Sequence, residues 1–351
     1  MLITIGILAH NEAERIGQTI ESLFSQSVFL EPSRIEAARW QVVVVPNGCT
    51  DRTAEHAKRA LQAAVEHTPH PNVGFVIDIL DRPGKSNAWN ELIHRVADID
   101  TDFFVMMDAD IEFGHPDTIA NSITTLLATP SALVVVDKPL KDFTRRSNLN
   151  VLERISLYVS RTSNAQGIAG SFYCARAAAL RSVWMPIGLS VEDGFLAAMI
   201  QTDNFRGAPD ASRIVRAEDA SHYFEGLSRV RSVIMHEVRL VIGTLLNCYL
   251  CWDALLFLTP SNGEGAGPVI RNLNDTEPNW YARMMANQIA ARGLWIIPSA
   301  MLFRRWISWW SLPWSKKIVR LPLTVATFAF DLIVLTIANW KMVSGRSIGL
   351  W

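Results

Sequence analysis

Two aspartates, Asp108 and Asp110, stand one residue apart directly after the apolar run 103–107. Carboxylate oxygens at the end of a strand suit Mg2+ or Mn2+, which proteins typically bind with one or two carboxylates and the phosphates of a substrate. The pair is therefore a candidate anchor for a diphosphate held through a divalent ion. An Asp-x-Asp at a strand end is also common as a solvated turn, and the pair alone does not decide between these interpretations.

The elements that would position such a pair follow from the hydrophobic pattern. Short apolar runs alternate with helical patterns in the first half of the chain, which is typical of an α/β domain with a largely parallel sheet. Ile16, Ile20 and Leu23 recur at helical spacing after the first run, as expected of a helix that covers a sheet. The predicted strands are 2–8, 41–45, 74–80, 103–107 and 132–136.

Polar side chains follow three of the predicted strands. In open sheets of this class ligands bind at the carboxyl ends of the strands, so these side chains are expected to face one cleft. They are His10, Asn11 and Glu12 after the first strand, Asn47 and Asp51 after the second, and Asp108 and Asp110 after the fourth.

Composition limits the classes of protein. The chain has 351 residues, 49% of them apolar and 19% charged, which indicates a globular protein with additional apolar surface. The formal net charge of -1 gives no overall basic field, so nucleic acid is not expected as a partner. The first apolar run lacks the features of a secretory signal and the 4 scattered cysteines suit a reducing compartment, so the catalytic part is expected in the cytoplasm.

Four segments in order carry a family resemblance, namely 5–12, 43–51, 84–88 and 108–110. They resemble the family 2 glycosyltransferases, and the resemblance covers roughly residues 1–240. It implies the nucleotide-sugar-binding fold called GT-A, an α/β fold in which a Rossmann-like mixed sheet has helices on both faces. It also implies a catalytic domain over 1–235, with a donor half of about 1–110 and an acceptor half of about 111–235.

The same resemblance implies a donor site. Glu12 would hold the ribose, and Lys85 would lie near the phosphates. Asn47 stands where the family usually has an aspartate that contacts the base, although its carbonyl can still accept a hydrogen bond from a uracil N–H. A solvated turn for Lys85 and an ordinary packed position for His222 remain alternatives. The residues expected to bind the nucleotide are Ala9, Asn11, Glu12, Asn47, Lys85 and Asp108, and those expected to hold the metal are Asp110, Asp108 and His222.

On the acceptor side, Glu192 and Asp193 resemble the acidic pair of the family, in which the second carboxylate is the general base. A positioned carboxylate can take the proton that an attacking hydroxyl must lose. The alternative role is to cap the helix that begins near Gly194. Arg239 matches the arginine of the Gln-x-x-Arg-Trp motif of membrane-bound members and would pair with the departing diphosphate. Because the Gln and Trp are missing, a single addition is favoured over a processive polysaccharide synthase.

The C-terminal region, 236–351, is predicted to be helical and membrane-associated. Tryptophans alternate with basic residues before an apolar stretch, a pattern typical of the lipid headgroup level. The apolar stretch 321–337 is slightly short for a span and contains Asp331, so a single C-terminal span, an in-plane helix and a soluble core helix all stay open. The alternating residues are Arg304, Arg305, Trp306, Trp309, Trp310, Trp314, Lys316 and Lys317.

These observations and the resemblance together predict a metal-dependent, inverting glycosyltransferase. It would move a sugar from a nucleotide diphosphate sugar, with UDP-sugar favoured, to a hydroxyl of a lipid or lipid-linked saccharide at the cytoplasmic face of a membrane. A soluble saccharide acceptor is an alternative. A nucleotidyltransferase of similar fold acting on a sugar phosphate would share the metal carboxylates but would need no base at Asp193, and a non-catalytic membrane scaffold would keep the fold without turnover.

Overall fold

The computed structural model describes the chain except for residues 36–38, 151, 155, 158–166, 252–262, 264 and 346–351. In this described part, eight strands form one mixed sheet in the order β3-β2-β1-β4-β7-β6-β8-β5. The strands are β1 (Leu2–Ala9), β2 (Arg39–Pro46), β3 (Val73–Ile77), β4 (Phe103–Asp108), β5 (Glu112–Phe113), β6 (Val134–Lys141), β7 (Phe172–Arg176) and β8 (Ile214–Phe224).

The first four strands in space are parallel, and the mixed character enters at β7. Strand β1 pairs in parallel with β2 and β4, and β2 pairs in parallel with β3. Strand β7 runs antiparallel to both β4 and β6. The carboxyl ends of β1, β2 and β4 therefore meet at one edge of the sheet. The predicted α/β sheet is confirmed, although the predicted strand 74–80 ends three residues earlier, at Ile77.

Helices cover both faces of the sheet. The helices are α1 (Ile16–Phe24), α2 (Ser27–Leu30), α3 (Thr53–His67), α4 (Lys85–Glu91), α5 (Thr118–Ala128), α6 (Ala177–Arg181), α7 (Glu192–Gln201), α8 (Val230–Leu250), α9 (Ala266–Thr276), α10 (Trp280–Arg292), α11 (Ser299–Leu302), α12 (Arg304–Trp310) and α13 (Trp314–Val343).

The strand sequences explain why the sheet is buried on both sides. Every residue of β1 is buried, as expected of a parallel strand covered on both faces. Ile5 points into a core shared with α1, α3 and α5, and Leu8 points into the opposite core, which contains Trp89 of α4. Gly6 permits a close approach on that second face, because a Cβ there would lie 2.7 Å from Cδ1 of Leu92.

The C-terminal helices share a core with the sheet. Ile242 of α8 and Leu335 of α13 belong to the same buried cluster as Trp89. The predicted domain boundary at 235 falls inside α8, and the division into two domains stays a prediction.

Two helices, α8 and α13, are long and apolar enough to cross a membrane. In the most apolar window of α13 only 28% of the residues are buried, and the side chains of Trp314 and Ile318 are 80% and 79% exposed. The predicted segment 321–337 lies within α13. Its Asp331 is 1% exposed because Arg304 and Arg305 both donate hydrogen bonds to its carboxylate, so this charge does not reach the surface.

Candidate active site

The ends of three parallel strands bring the predicted donor residues to one edge of the sheet. Strand β1 ends at Ala9, β4 ends at Asp108, and Asn47 directly follows β2. Because β1 lies between β2 and β4, Asn11 and Glu12 leave the sheet at the centre of this edge. The residues that end or follow β1, β2 and β4, and that were expected to bind the nucleotide, therefore lie at the same edge of the sheet.

Asn47 joins two segments of this edge by hydrogen bonds. Its side-chain amide donates to the carbonyl of Ala9 at 3.0 Å, and its side-chain oxygen accepts from the N–H of Gly84, also at 3.0 Å. The residue is fully buried. In this arrangement no part of the Asn47 side chain is open to a nucleotide base, in contrast to the expectation for it, and the contacts support a role in holding the loop that precedes Lys85.

Asn11 and Glu12 form the central part of the edge. Asn11 has φ +56°, a conformation that asparagine adopts more readily than most residues, and its side-chain oxygen accepts from the N–H of Thr50 at 2.8 Å. Burial and the nearby charge of Asp110 raise the pKa of Glu12, while Arg15 opposes the shift. Glu12 and Asp110 therefore share one electrostatic environment.

Lys85, the first residue of α4, lies between two carboxylates. Its Nζ is 2.7 Å from Oδ1 of Asp108 and 2.9 Å from Oε1 of Glu192, and it also donates to the carbonyl of Gly170 at 3.3 Å. Only 14% of the Lys85 side chain is exposed. The fold thus brings together three charged groups that lie far apart in the sequence, and Lys85 is not a solvated turn lysine.

The charges in this cluster are unequal in number. Burial disfavours all of them. Even so, the two carboxylates raise the pKa of Lys85 well above its ordinary value. Burial would also raise the pKa of Glu192, but the Lys85 ammonium outweighs it and the pKa is lowered. Burial raises the pKa of Asp108, and the charges of Asp110 and Glu192 add to this shift against the pull of Lys85. The carboxylates outnumber the single ammonium of Lys85, so a further cation would be attracted to this cluster.

Asp193 lies beside this cluster in the first turn of α7. It is half-buried, and its Oδ1 accepts from the N–H of Gly194 at 2.8 Å. Burial and the neighbouring charge of Glu192 raise the pKa of Asp193, while Lys85 and Arg239 oppose the shift. A carboxylate with a raised pKa is a better proton acceptor than an ordinary aspartate, because it binds the proton more tightly.

Asp110 occupies the open side of the same edge. Its carboxylate is 31% exposed, and its ion pair with Arg15 is loose, at 3.8 Å. The same arginine makes a closer pair with Glu225, at 3.0 Å. The Asp108 side chain is 26% exposed and its Oδ1 is paired with Lys85, so Asp110 is the less firmly paired of two partly accessible carboxylates.

His222 is fully buried and makes hydrogen bonds through both ring nitrogens. Its Nδ1 lies 2.8 Å from the carboxylate of Asp137, and its Nε2 lies 2.9 Å from Oγ of Ser171. The carbonyl of Ser171 in turn accepts the N–H of Asp108 at 3.0 Å. Binding a metal would require one of the two ring contacts to break. The described contacts therefore place His222 in the support of the Asp108 strand end.

Arg239 lies on α8 and is exposed. Its charge acts against the protonation of both Glu192 and Asp193, which places its guanidinium in the electrostatic reach of the acidic pair. The resemblance implies a place for this arginine beside the leaving diphosphate, and that role stays a prediction.

Some supporting residues were not found from the sequence. Asp137 is 1% exposed and holds His222, and it follows the apolar run 133–136 just as Asp108 follows its own run. That signal was present in the sequence. The buried pair Trp89 and Tyr173, joined by a 2.7 Å hydrogen bond beneath Lys85, carries no such signal because each residue alone has an ordinary aromatic core pattern.

A sheet with a parallel nucleotide-side half, helices on both faces and acidic side chains at the carboxyl edge defines the GT-A class of nucleotide-diphospho-sugar transferases. The model for glycosyl transferase family 2 matches residues 4–185, more than half of the chain, and the chain belongs to this family. The resemblance of the four sequence segments is confirmed. The protein is accordingly a glycosyltransferase.

Solved structures that are similar to this chain share little sequence with it. A mannosyltransferase from Pyrobaculum calidifontis in complex with GDP-mannose and Mn2+ is 16% identical, with a TM-score of 0.56 over 97% of this chain and 86% of that one. Glucosyl-3-phosphoglycerate synthase from Mycobacterium tuberculosis, with Mn2+, UDP-glucose and phosphoglyceric acid, is 20% identical, with a TM-score of 0.46 over 70% and 79% of the two chains. No curated protein matches the sequence significantly.

Proposed function

We propose that this glycosyltransferase moves one sugar, with inversion, from a nucleotide diphosphate sugar to a hydroxyl of a lipid or lipid-linked saccharide at the cytoplasmic face of a membrane. UDP-sugar is the leading donor class. The observation that carries the proposal is the convergence of Asp108, Lys85, Glu192 and Asp193 at the strand-end edge. Lys85 pairs with Asp108 and Glu192, and Asp193, whose pKa is raised, lies beside them without a lysine or arginine within ion-pair distance among the described residues.

A divalent cation fits this site through Asp110 and Asp108. Within the described residues, no group of three or more His, Cys, Asp or Glu side chains could hold a metal. Mg2+ and Mn2+ commonly bind one or two carboxylates and complete their shell with substrate phosphates and water, so such a group is not required. When bound, the cation would stabilise negative charge on the leaving diphosphate. We leave His222 out of the metal site because both its ring nitrogens are already hydrogen-bonded.

The proposed reaction is a single displacement. Asp193 takes the proton from the acceptor hydroxyl as its oxygen forms a bond to the anomeric carbon, and the bond between that carbon and the diphosphate oxygen breaks. Lys85 keeps Glu192 ionised and orients it beside Asp193. Arg239 supplies positive charge toward the diphosphate. The proposed roles thus cover both charge changes of the reaction, the proton that leaves the acceptor and the negative charge that develops on the diphosphate.

The exposed apolar surface supports a membrane-associated acceptor. On α12 and the first half of α13, Trp310, Trp314, Ile318 and Val319 are each at least 74% exposed. Lys316 and other cations stand among them, as at the headgroup level of a bilayer. Helix α8 packs on α13 and also contacts Val191, directly before the acidic pair, so we expect a membrane-bound hydroxyl to approach Asp193 from this side.

A product-release assay over a panel of nucleotide sugars tests the proposed function. With membrane lipid extract as acceptor, we expect a nucleoside diphosphate to be released, the reaction to stop with a chelator, and Mn2+ or Mg2+ to restore it. The panel needs GDP-mannose beside the UDP-sugars, because one structure of this fold was solved with that donor. Release of pyrophosphate from a nucleoside triphosphate and a sugar phosphate would instead identify a nucleotidyltransferase. Turnover that persists after complete chelation contradicts the metal assignment.

Vesicle binding tests the membrane surface. Ile318→Glu places a charge on the proposed contact face, and we expect binding to phosphatidylcholine vesicles containing phosphatidylglycerol to weaken roughly tenfold or more. Ile99→Glu is the matched control, because Ile99 is also 79% exposed but lies in the loop before β4. Sedimentation with the vesicles measures both. Equal binding by the two variants would show that α13 does not form the contact face.

A further inference from the structure

A strained backbone stands immediately before the acidic pair. Val191 has φ +64° and ψ +64°, in the left-handed region, where a β-branched residue is a clear outlier. Such a conformation persists only when the surroundings enforce it, and it occurs preferentially at functional sites. Val191 directly precedes Glu192 and Asp193, so its torsion angles set the direction in which both side chains leave the chain.

Helix α8 supplies the surroundings that enforce this conformation. Gly243 lies against the Val191 side chain so closely that a Cβ on the glycine would be 2.2 Å from Cγ2 and 2.4 Å from Cβ of the valine. One turn further along, the amide of Asn247 donates to the carbonyl of Val191 at 3.0 Å. The first contact locates the side chain of Val191 and the second its backbone.

The remaining contacts of Asn247 point to the same segment. Its Nδ2 lies 3.1 Å from the place where a Cβ on Gly194 would be, so it packs over the first turn of α7. Its Oδ1 is buried without a hydrogen-bond partner in the described part of the chain. A buried side-chain oxygen without a hydrogen bond lowers the stability of the fold. An asparagine at this position is therefore better explained by the hydrogen bond that its Nδ2 donates to Val191 than by stability.

The helix face that carries these residues also carries Arg239. Residues 239, 243 and 247 are spaced by four, so they lie above one another on one face of α8. That face is turned toward the start of α7, since Gly243 contacts the Val191 side chain and the Asn247 amide packs over Gly194 and donates to the carbonyl of Val191. We infer that Gly243 and Asn247 are positioning residues for the transfer reaction, which hold Val191 left-handed and thereby aim Asp193 at the acceptor hydroxyl. This inference rests on the proposed role of Asp193 as the base.

Asn247→Ala tests the inference, with Thr244→Ala as the matched control on the exposed side of the same helix. We call the contacts of Gly243 and Asn247 with Val191 the clamp. Loss of the Asn247 contact should lower kcat by roughly 10- to 100-fold, because small errors in orientation reduce rates strongly. The dissociation constant of the donor nucleotide should stay within about twofold. Thr244→Ala should change neither quantity. A purely structural role for Asn247 would lower the melting temperature and leave kcat per folded molecule unchanged.

A double-variant cycle tests whether the effect passes through Val191. Glycine adopts the left-handed conformation without strain, so Val191→Gly removes the strain that the clamp is proposed to hold. In that background Asn247→Ala should reduce kcat by less than about threefold. Fully additive effects would overturn the inference, as would a parental kcat in Asn247→Ala.

Amide hydrogen exchange provides a readout that does not depend on turnover. Asn247→Ala should speed exchange over residues 190–196, and Thr244→Ala should not. If Asp193→Asn abolishes transfer while Asn247→Ala leaves both kcat and exchange unchanged, the clamp is wrong and the proposed function stands. If Asp193→Asn turns over like the parent, the proposed function fails, and faster exchange in Asn247→Ala would still show that α8 holds the segment.

Discussion

Asp193→Asn is expected to lower kcat by about 10²- to 10⁴-fold, the range over which a positioned general base contributes. Donor binding should stay within about twofold of the parent, because the proposed proton transfer occurs only in the step that follows binding. Asparagine retains a side-chain oxygen that can accept the N–H of Gly194, so the first turn of α7 keeps this hydrogen bond. Product release and titration of the donor nucleotide measure the two quantities.

Stability separates this outcome from misfolding. The pKa of Asp193 is raised in the folded chain by burial and by Glu192, so the ionised carboxylate destabilises the fold above its ordinary pKa. Asp193→Asn removes that charge and should raise the melting temperature slightly at neutral pH, with the gain vanishing as pH falls below about 4. A variant that loses activity and gains stability is not simply unfolded. Asp275→Asn, at a 67% exposed aspartate, should change neither property.

The pH dependence follows from the same shift. Because the base must be ionised, kcat/KM of the parent should fall as pH drops through the raised pKa of Asp193, and this acid limb should lie above the ordinary aspartate value of about 3.9. The residual rate of Asp193→Asn should lack that limb. A variant with the parental limb would assign the titration to another group.

The sequence was sufficient to predict the first strands of the sheet and the edge at which the candidate site residues meet. Alternating helical and strand patterns predicted β1, β2 and β4, and the polar residues after them predicted which ends matter, because parallel neighbours end at one edge. Asp108 illustrates the success, since its position after an apolar run is a local property of the sequence. Patterns of this kind are local, and they place a residue in the fold without stating what it contacts.

Contacts between distant segments could not be predicted in this way. Lys85 and Glu192 are separated by more than a hundred residues, and their 2.9 Å contact depends on how α4 and α7 dock on the sheet. The left-handed Val191 is a further example, since its conformation follows from the approach of α8 and not from the preferences of valine. His222 is another example, because its residue type suggested a metal ligand, and only the structure shows that Asp137 and Ser171 give both ring nitrogens a partner.

Lys85→Met is expected to destabilise the chain by about 3 kcal/mol, because removal of one partner leaves buried carboxylates without compensation. The side chains of Asp108 and Glu192 are 26% and 10% exposed, so solvent screens them only in part. Activity should fall at least about 100-fold, since Glu192 would then repel Asp193 and lose its orientation. Chemical denaturation and the product-release assay measure these changes. Lys138→Met, at an exposed lysine, is the matched control and should be neutral in both.

If Lys85 stabilises the site by its charge, a second substitution at Glu192 should offset part of the loss. Glu192→Gln in the Lys85→Met background removes one uncompensated carboxylate, so it should restore part of the lost stability without restoring activity. In the parent, Glu192 has a lowered pKa, and its ion pair contributes stability that is lost as pH falls through that pKa. In Lys85→Met the carboxylates can accept protons at no loss of a partner, so the stability difference from the parent should shrink on acidification. A difference independent of pH would mean that Lys85 stabilises the site by packing and not by its charge.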